Sequence, residues 1–312
     1  MPAIISPYRG FGRGHEMLVR GRLMMDKRVT RATEAEPLWL NLINTWRRFE
    51  SDEIAGARAR VSYRDAVVES VTNHEGHFQV RLEPRELAGH LLWHEVACEA
   101  PDHNTSAIAR VLIPAAAEFG IISDIDDTIV HTGATSLVTM IRSVINNAAA
   151  RLPFEGVAEL YRALHRDRNP IFYVSSSPWN LYELLDDFMN LNGIPAGPML
   201  LQDWGIDRDT LIIDPHERHK LAQIQTLLDY YHDLRFVLIG DSGQKDPEIY
   251  LRAMQVHPNR VIAAFIRDVT GDTRDQAVAR IAEGAKAAGS EMIYVRDSAH
   301  AFEEARRLGL VP

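Results

Sequence analysis

From Phe119 to the end of the chain, short apolar runs alternate with longer stretches of helical periodicity, and few folds accommodate that rhythm. The runs at 119–123, 171–174, 199–201, 236–239, 261–266 and 292–295 are nearly continuous in Ile, Val, Leu, Phe and Met. Strands of that kind are buried on both faces, which is the condition of a parallel sheet covered by helices. Helix starts punctuate the gaps. Ser177 followed by Pro178 signals one helix, closed by Gly193, and Asp246 followed by Pro247 signals another, because Pro suits the first helical turn and Ser or Asp suits the position before it. Residues 116–312 are therefore expected to form an α/β domain with a doubly wound, mainly parallel sheet.

Residues 1–115 follow a different rule. Segments at 17–24, 58–63, 67–71, 77–82, 94–99 and 107–113 are rich in β-formers and separated by turn residues such as Asn73, Gly76, Pro101 and Asp102. They predict a smaller all-β, sandwich-like domain. The phrase at 70–82 resembles small β-sandwich domains of the carboxypeptidase-regulatory or transthyretin type. Leu38, Leu42, Trp46 and Phe49 recur at helical spacing and predict a helix inserted over 37–53. GFGRG at 10–14 lacks dinucleotide-binding spacing and reads as a flexible lead. Ile113, Pro114 and the three alanines that follow mark the boundary between the domains.

Composition narrows the function classes. The 34 Lys and Arg against 43 Asp and Glu give a net charge of −9, with no basic excess to neutralise a nucleic-acid backbone. No nucleic-acid partner is expected. One cysteine, Cys98, excludes an internal disulfide framework and a cysteine-rich zinc module. No apolar run reaches the length of a membrane span, and the N-terminus lacks the order of a secretory signal, so the expectation is a cytoplasmic protein, at most peripheral to a membrane. The absence of a GxxxxGK[ST] pattern argues against P-loop nucleotide hydrolysis.

The chemistry concentrates at strand ends. FGIISDIDDTI runs an apolar strand into Asp124, Asp126 and Asp127, and the carboxyl ends of parallel strands are where ligands bind. Carboxylates this close repel one another. A divalent cation relieves them, and an oxygen-only cluster favours Mg²⁺, held by one or two carboxylates together with a substrate phosphate. A solvated acidic turn is the plainer alternative. The run IFYV ends in Ser175, Ser176 and Ser177, which offer hydroxyls and N–H donors to an anion. FVLIGDSGQKD places Asp241 directly after a strand as a second metal ligand; Asp246, five residues on, is either part of the site or only a helix cap. Lys220, one of four lysines against thirty arginines, begins an amphipathic helix leading into that strand.

The order DIDDT, strand-end Ser, Lys, then GDSGQKD resembles the four motifs of haloacid-dehalogenase-superfamily phosphotransferases. The closer wording, DIDDTI with YVSSSPWNLY and LIGDSGQKDPEIY, resembles the catalytic domain of the actin-patch-associated phosphatidate phosphatases, over roughly residues 119–300. That resemblance implies a haloacid-dehalogenase-like fold and a Mg²⁺-dependent phosphatase working through an aspartyl-phosphate. Position by position, Asp124 would be the nucleophile and Asp126 the acid and base. Asp124, the backbone carbonyl of Asp126, and Asp241 would bind the metal, with Asp246 orienting it. Ser175 would hold a phosphoryl oxygen, Lys220 would offset its charge, and Thr128 would shape the turn. The implied substrate is phosphatidate at a membrane surface, with diacylglycerol as product. A phosphoprotein or soluble phosphomonoester is the alternative substrate.

Other signals are weaker. Ser176 and Arg267, the latter at the end of the strand in FIRDV, are candidate contacts to a substrate anion. Leu137, Ile141, Val144 and Ala148 share one helical face, which suits a core helix or a lid facing lipid. His216 and His219 lie three apart but without a third ligand nearby, so they read as polar surface. The segment 9–31 carries seven basic and two acidic residues, and fits a solvated β-surface better than a lipid-binding patch. From another functional class, a receiver-like module would use a similar set of groups, and a non-enzymatic adaptor would bind a partner through its β-domain with the second domain decayed. In a receiver the phosphoacceptor Asp lies on the third strand, whereas here it would lie on the first.

Overall fold

A computed structural model describes residues 2–25, 53–129, 153–202, 215–269 and 275–312. The chain clusters into two compact units, Met1–Ala116 with Tyr182–Asp187, and Ala117–Leu181 with Phe188–Pro312. The helices expected at 37–53 and over 137–148 fall outside the described residues, apart from Glu53, which bridges to Met24.

The first unit is an eight-stranded sheet: β1 Ala3–Pro7, β2 Gly10–Arg13, β3 Glu16–Met25, β4 Arg58–Tyr63, β5 Ala66–Val71, β6 His77–Leu82, β7 Trp93–Ala100 and β8 Thr105–Leu112. The order is β1-β3-β2-β8-β7-β4-β5, with β6 on β3, and all pairings are antiparallel except β2 with β8. Alternation along each strand turns one set of side chains inward. Met17, Val19 and Leu23 of β3 share a core with Val61 of β4, Phe78, Val80 and Leu82 of β6, and Val96 and Cys98 of β7.

Two strands, β1 and β2, exceed the sequence expectation. GFGRG is not a flexible lead but β2, pressed between β3 and β8. The reason is steric. A Cβ at Gly10 would stand 2.2 Å from the Leu18 carbonyl oxygen, and one at Gly12 2.2 Å from that of Glu16, so glycine alone permits the approach.

From Gly120 onward the chain alternates strand and helix: β9 Gly120–Asp124, α1 Val157–His165, β10 Ile171–Pro178, α2 Tyr182–Leu191, β11 Met199–Gln202, α3 Pro215–Tyr230, β12 Phe236–Asp241, α4 Asp246–Val256, β13 Val261–Arg267, α5 Asp275–Ala287, β14 Glu291–Val295 and α6 Ser298–Arg307. The strands are all parallel, in the order β11-β10-β9-β12-β13-β14. The chain thus winds outward from β9 through β10 to β11, then returns to β12 and winds the other way. With right-handed crossovers this puts helices on both faces. Accordingly α3, α4 and α5 pack side by side, and α1 packs on α6. Every residue of β9 and of β12 is buried, as the continuous apolar runs require.

Local boundaries shift in three places. Ser177 does not cap a helix: β10 continues through Pro178, a 3-10 turn covers Trp179–Leu181, and α2 begins at Tyr182. The residue before a proline is pushed towards extended geometry, and the Ser177 N–H donates to Ser175 Oγ at 3.0 Å, which keeps it in the strand. Lys220 does not begin α3, since that helix starts at Pro215. Asp246 is not the cap of α4: Lys245 holds that position without a side-chain cap, and the Asp246 carboxylate turns inward.

Candidate active site

β9 and β12 lie side by side at the point where the winding reverses, and open α/β sheets bind ligands in the crevice at that point. β9 ends in Asp124 and β12 ends in Asp241, so two carboxylates face the crevice from adjacent strands. Both are buried. The sequence places them there because each apolar run gives way to an acid at the last strand position.

Beyond β9 the chain makes a helical turn in which the Ile129 N–H donates to the Ile125 carbonyl at 3.0 Å, with Asp127 at a left-handed φ of 56°. That turn brings the Thr128 hydroxyl back to Asp124 Oδ2 at 3.2 Å. Asp124 Oδ1 lies 2.8 Å from Lys220 Nζ. The same ammonium donates to Asp246 Oδ1 at 2.6 Å, and Asp246 Oδ2 accepts from the Asp241 N–H at 3.2 Å. One lysine of α3 therefore ties the nucleophile candidate on β9 to the first turn of α4. On the opposite side, Ser175 Oγ of β10 donates to Asp126 Oδ2 at 2.9 Å.

Charge and burial set the electrostatics. Burial pushes the Asp124 carboxyl well above the ordinary range; Lys220 opposes this, while Asp246, Asp126 and Asp241 add to it. Burial likewise raises Asp126, against the hydrogen bond from Ser175. Asp241 is pushed up to about 7 by burial and by Asp246. Lys220 is 3% exposed. Burial works against its charge, yet Asp124 and Asp246 overcome that and hold it protonated.

The donor set fits a hard cation. Asp124, Asp241 and Asp246 each offer a carboxylate oxygen, all within 4.8 Å of one another. Asp241 Oδ1 accepts the N–H groups of Gly243 at 2.6 Å and Gln244 at 2.9 Å, whereas its Oδ2 is buried with no hydrogen-bond partner among the described residues. Three carboxylates against one ammonium leave the cluster acidic, and an unpartnered buried carboxylate oxygen is costly unless something positive meets it.

Thus Asp124, Asp126, Ser175, Lys220, Asp241 and Asp246, which span more than a hundred residues of chain, meet at one rim of the sheet. Ser176, next in the chain to Ser175, is half-buried. Arg267 stands in register with Asp241, but its guanidinium sits 4.0 Å above the Phe154 ring and donates to Ser298 Oγ at 2.9 Å. The side chain of His216 lies outside the described residues, and His219 is half-buried on α3.

Sequence reasoning passes over four residues here. A Cβ at Gly240 would stand 2.4 Å from Asp246 Oδ2 and 2.8 Å from the Tyr250 hydroxyl, so this glycine makes the room that Asp246 occupies. Tyr250 itself donates to the Ile239 carbonyl at 2.8 Å. Beneath β9, Ser123 Oγ contacts the Asp124 carbonyl at 2.7 Å and the Tyr161 hydroxyl at 2.5 Å. The signal that points to Ser123 is a lone hydroxyl in an otherwise apolar strand.

Residues 119–268 match the family model described as the catalytic domain of phosphatidate phosphatase APP1. The matched stretch contains every group of the cluster. Phosphatidate phosphatase APP1 of Saccharomyces cerevisiae is 34% identical over 158 residues, which is 50% of this chain and 27% of that protein. An uncharacterized protein of Schizosaccharomyces pombe is 31% identical over 163 residues, covering 49% of this chain and 25% of that one. The match to APP1 and to the fission-yeast protein thus spans about a quarter of the length of each relative. Among solved structures, a haloacid-dehalogenase-family hydrolase from Deinococcus radiodurans with bound phosphate and sodium aligns at 16% identity and a TM-score of 0.38, covering 62% of this chain and 98% of that one. Cytosolic 5'-nucleotidase IIIB bound to cytidine aligns at 13% identity and 0.35, covering 62% and 84%.

Proposed function

We propose that the protein is a Mg²⁺-dependent phosphatase that hydrolyses a phosphomonoester through an aspartyl-phosphate, with phosphatidate at a membrane surface as its substrate. The observation that carries the proposal is Lys220 Nζ held between Asp124 and Asp246 at the crevice where β9 meets β12, with Asp126 held by Ser175 beside it. A buried carboxylate with both oxygens fixed, by Thr128 and by Lys220, is a nucleophile oriented before substrate arrives.

In the first step an Asp124 carboxylate oxygen attacks phosphorus, the P–O ester bond breaks, and Asp126 delivers its proton to the departing alkoxide. In the second step Asp126 takes a proton from water as that water attacks phosphorus, which releases inorganic phosphate and frees Asp124. Burial raises the Asp126 pKa, the direction that favours its carrying a proton. Ser175 is placed to hold a phosphoryl oxygen once its hydrogen bond to Asp126 is exchanged. Lys220 offsets the charge that Asp124 shares with the phosphoryl group. A Mg²⁺ ion would be held by Asp124, Asp241 and the backbone carbonyl of Asp126, with Asp246 orienting the set, and when bound it supplies positive charge to the transferring group.

Phosphatidate is the substrate because the part of the chain that carries the cluster is the part that resembles the APP1 catalytic domain. Among the described residues no helix is long and apolar enough to cross a membrane. We assign the boundary between catalytic and accessory parts to 115/116, with the β-unit as a partner-binding or membrane-surface module. The test is a panel of phosphatidate in vesicles, a phosphoprotein and soluble phosphomonoesters, with and without chelator. Chelator-sensitive release of diacylglycerol is expected, and Asp124→Asn should abolish it while the far-ultraviolet circular dichroism is unchanged. Faster turnover of soluble phosphosugars than of phosphatidate would remove the substrate assignment. Substantial activity in Asp124→Asn would remove the nucleophile.

A further inference from the structure

We infer that Tyr161 is a positioning residue for the nucleophile, acting through Ser123 on the main chain of Asp124; this rests on the reading of Asp124 given above. On the β12 side the ladder of β9 ends with Ile239 opposite Ser123, and on the β10 side it runs one residue further, to Val174 opposite Asp124. Asp124 is thus the residue at which β9 parts from β12. There a buried backbone has lost one of its two ladder partners and needs another anchor. The anchor present is a side chain: Ser123 Oγ donates to the Asp124 carbonyl oxygen at 2.7 Å.

A serine hydroxyl has one proton, and a carbonyl oxygen only accepts. With that proton committed to Asp124, the 2.5 Å contact between Ser123 Oγ and the Tyr161 hydroxyl runs from tyrosine to serine. The result is a directed chain, Tyr161 O–H to Ser123 O–H to the Asp124 carbonyl, with no solvent exposure at either Tyr161 or Ser123. Tyr161 belongs to α1, and its ring lies parallel to that of Tyr173 on β10, with centroids 6.4 Å apart and planes 7° from parallel. The helix and the neighbouring strand therefore set where the nucleophile's backbone sits. Thr128 and Lys220 fix the carboxylate, and Tyr161 fixes the peptide from which it springs.

A positioning chain has a kinetic signature that a packing role lacks. Tyr161→Phe keeps the ring and removes only the first hydroxyl, so it should lower kcat about tenfold with KM unchanged, since misplacement by about 1 Å can cost about a hundredfold. In a Ser123→Ala background, where the chain is already cut, the same substitution should change kcat by less than about twofold, because residues acting in series are not additive. The assay is Mg²⁺-supported hydrolysis of p-nitrophenyl phosphate by the full chain, at a temperature where each variant is folded by circular dichroism. A Tyr161→Phe enzyme with wild-type kcat, a loss confined to KM, or an equal loss in both backgrounds overturns the inference. If Ser123→Ala does not fold, the kcat and KM of Tyr161→Phe alone decide. Asp124→Asn run beside them separates the two levels: an active Asp124→Asn removes the nucleophile assignment on which the inference rests, whereas an inactive one with an unaffected Tyr161→Phe refutes only the role of Tyr161.

Discussion

Lys220→Met would leave the carboxylates of Asp124 and Asp246 buried together with their shared ammonium gone. Lys220 lies 2.8 Å from one and 2.6 Å from the other, with all three groups screened from water. Breaking a buried ion pair by deleting one partner costs about 3–5 kcal/mol, because the surviving charge keeps its desolvation penalty and loses its compensation. Here two acids survive, so the upper part of that range applies at neutral pH. Asp124, whose carboxyl burial already pushes well above the ordinary range, has one escape, which is to take up a proton. The unfolded chain releases that proton near the ordinary carboxylate pKa of about 4, while the folded variant retains it to higher pH, so stability of the variant falls as pH rises. In the wild type Lys220 stays charged throughout and the corresponding loss is smaller. Urea denaturation in EDTA at pH 5 and pH 8 measures the difference: the gap between wild type and Lys220→Met should be wider at pH 8. A gap below about 1 kcal/mol at both values, the level of an exposed ion pair, would refute the buried bridge. So would a gap that is wider at pH 5.

Gly240→Ala drives a methyl group to within 2.4 Å of Asp246 Oδ2, and should cost about 1–3 kcal/mol by overpacking together with most of the turnover; thermal melts and p-nitrophenyl phosphate hydrolysis check both, and wild-type values in each would show that the strand yields at no cost. Asp241, pushed up to about 7, makes the cation-free protein lose stability as pH rises from about 4 to about 7, by at most about 4 kcal/mol for a shift of some three units. Mg²⁺ should therefore raise the melting temperature more at pH 7.5 than at pH 5. A cation-free melting temperature that is flat over this range, or an increment independent of pH, would contradict it.

Much of the architecture can be read along the chain because the cause is local. A strand buried on both faces must be apolar throughout, so the runs at 171–174 and 236–239 announce β10 and β12, and the residue that ends each run marks a crevice position. Helix boundaries are less legible. Ser177 with Pro178 carries a helix-start signal, yet Ser175 captures the Ser177 N–H and β10 continues; Asp246 carries a capping signal, yet Lys220 and the Asp241 N–H claim its carboxylate. In both cases a specific contact, with Ser175 two residues upstream for Ser177 and with Lys220 26 residues away for Asp246, outweighs a propensity worth about 1 kcal/mol. β2 was hidden for the same kind of reason: two glycines look permissive until Leu18 and Glu16 close against them.

What the amino-acid order determined unaided is therefore the inventory: acids at the ends of β9 and β12, serines at the end of β10 and a scarce lysine before β12, all produced by periodicity and by the chemistry of single residues. The tertiary structure decided which of these touch. That Lys220 bridges Asp124 and Asp246, that Gly240 vacates the space Asp246 fills, and that Tyr161 reaches Ser123 all follow from the strand order β11-β10-β9-β12-β13-β14 and the helices it brings together. Apart from Gly240 and Asp246, which lie six positions apart, those contacts join residues 26 to 96 positions apart, beyond the reach of any local repeat, and only burial in a common crevice turns them into partners.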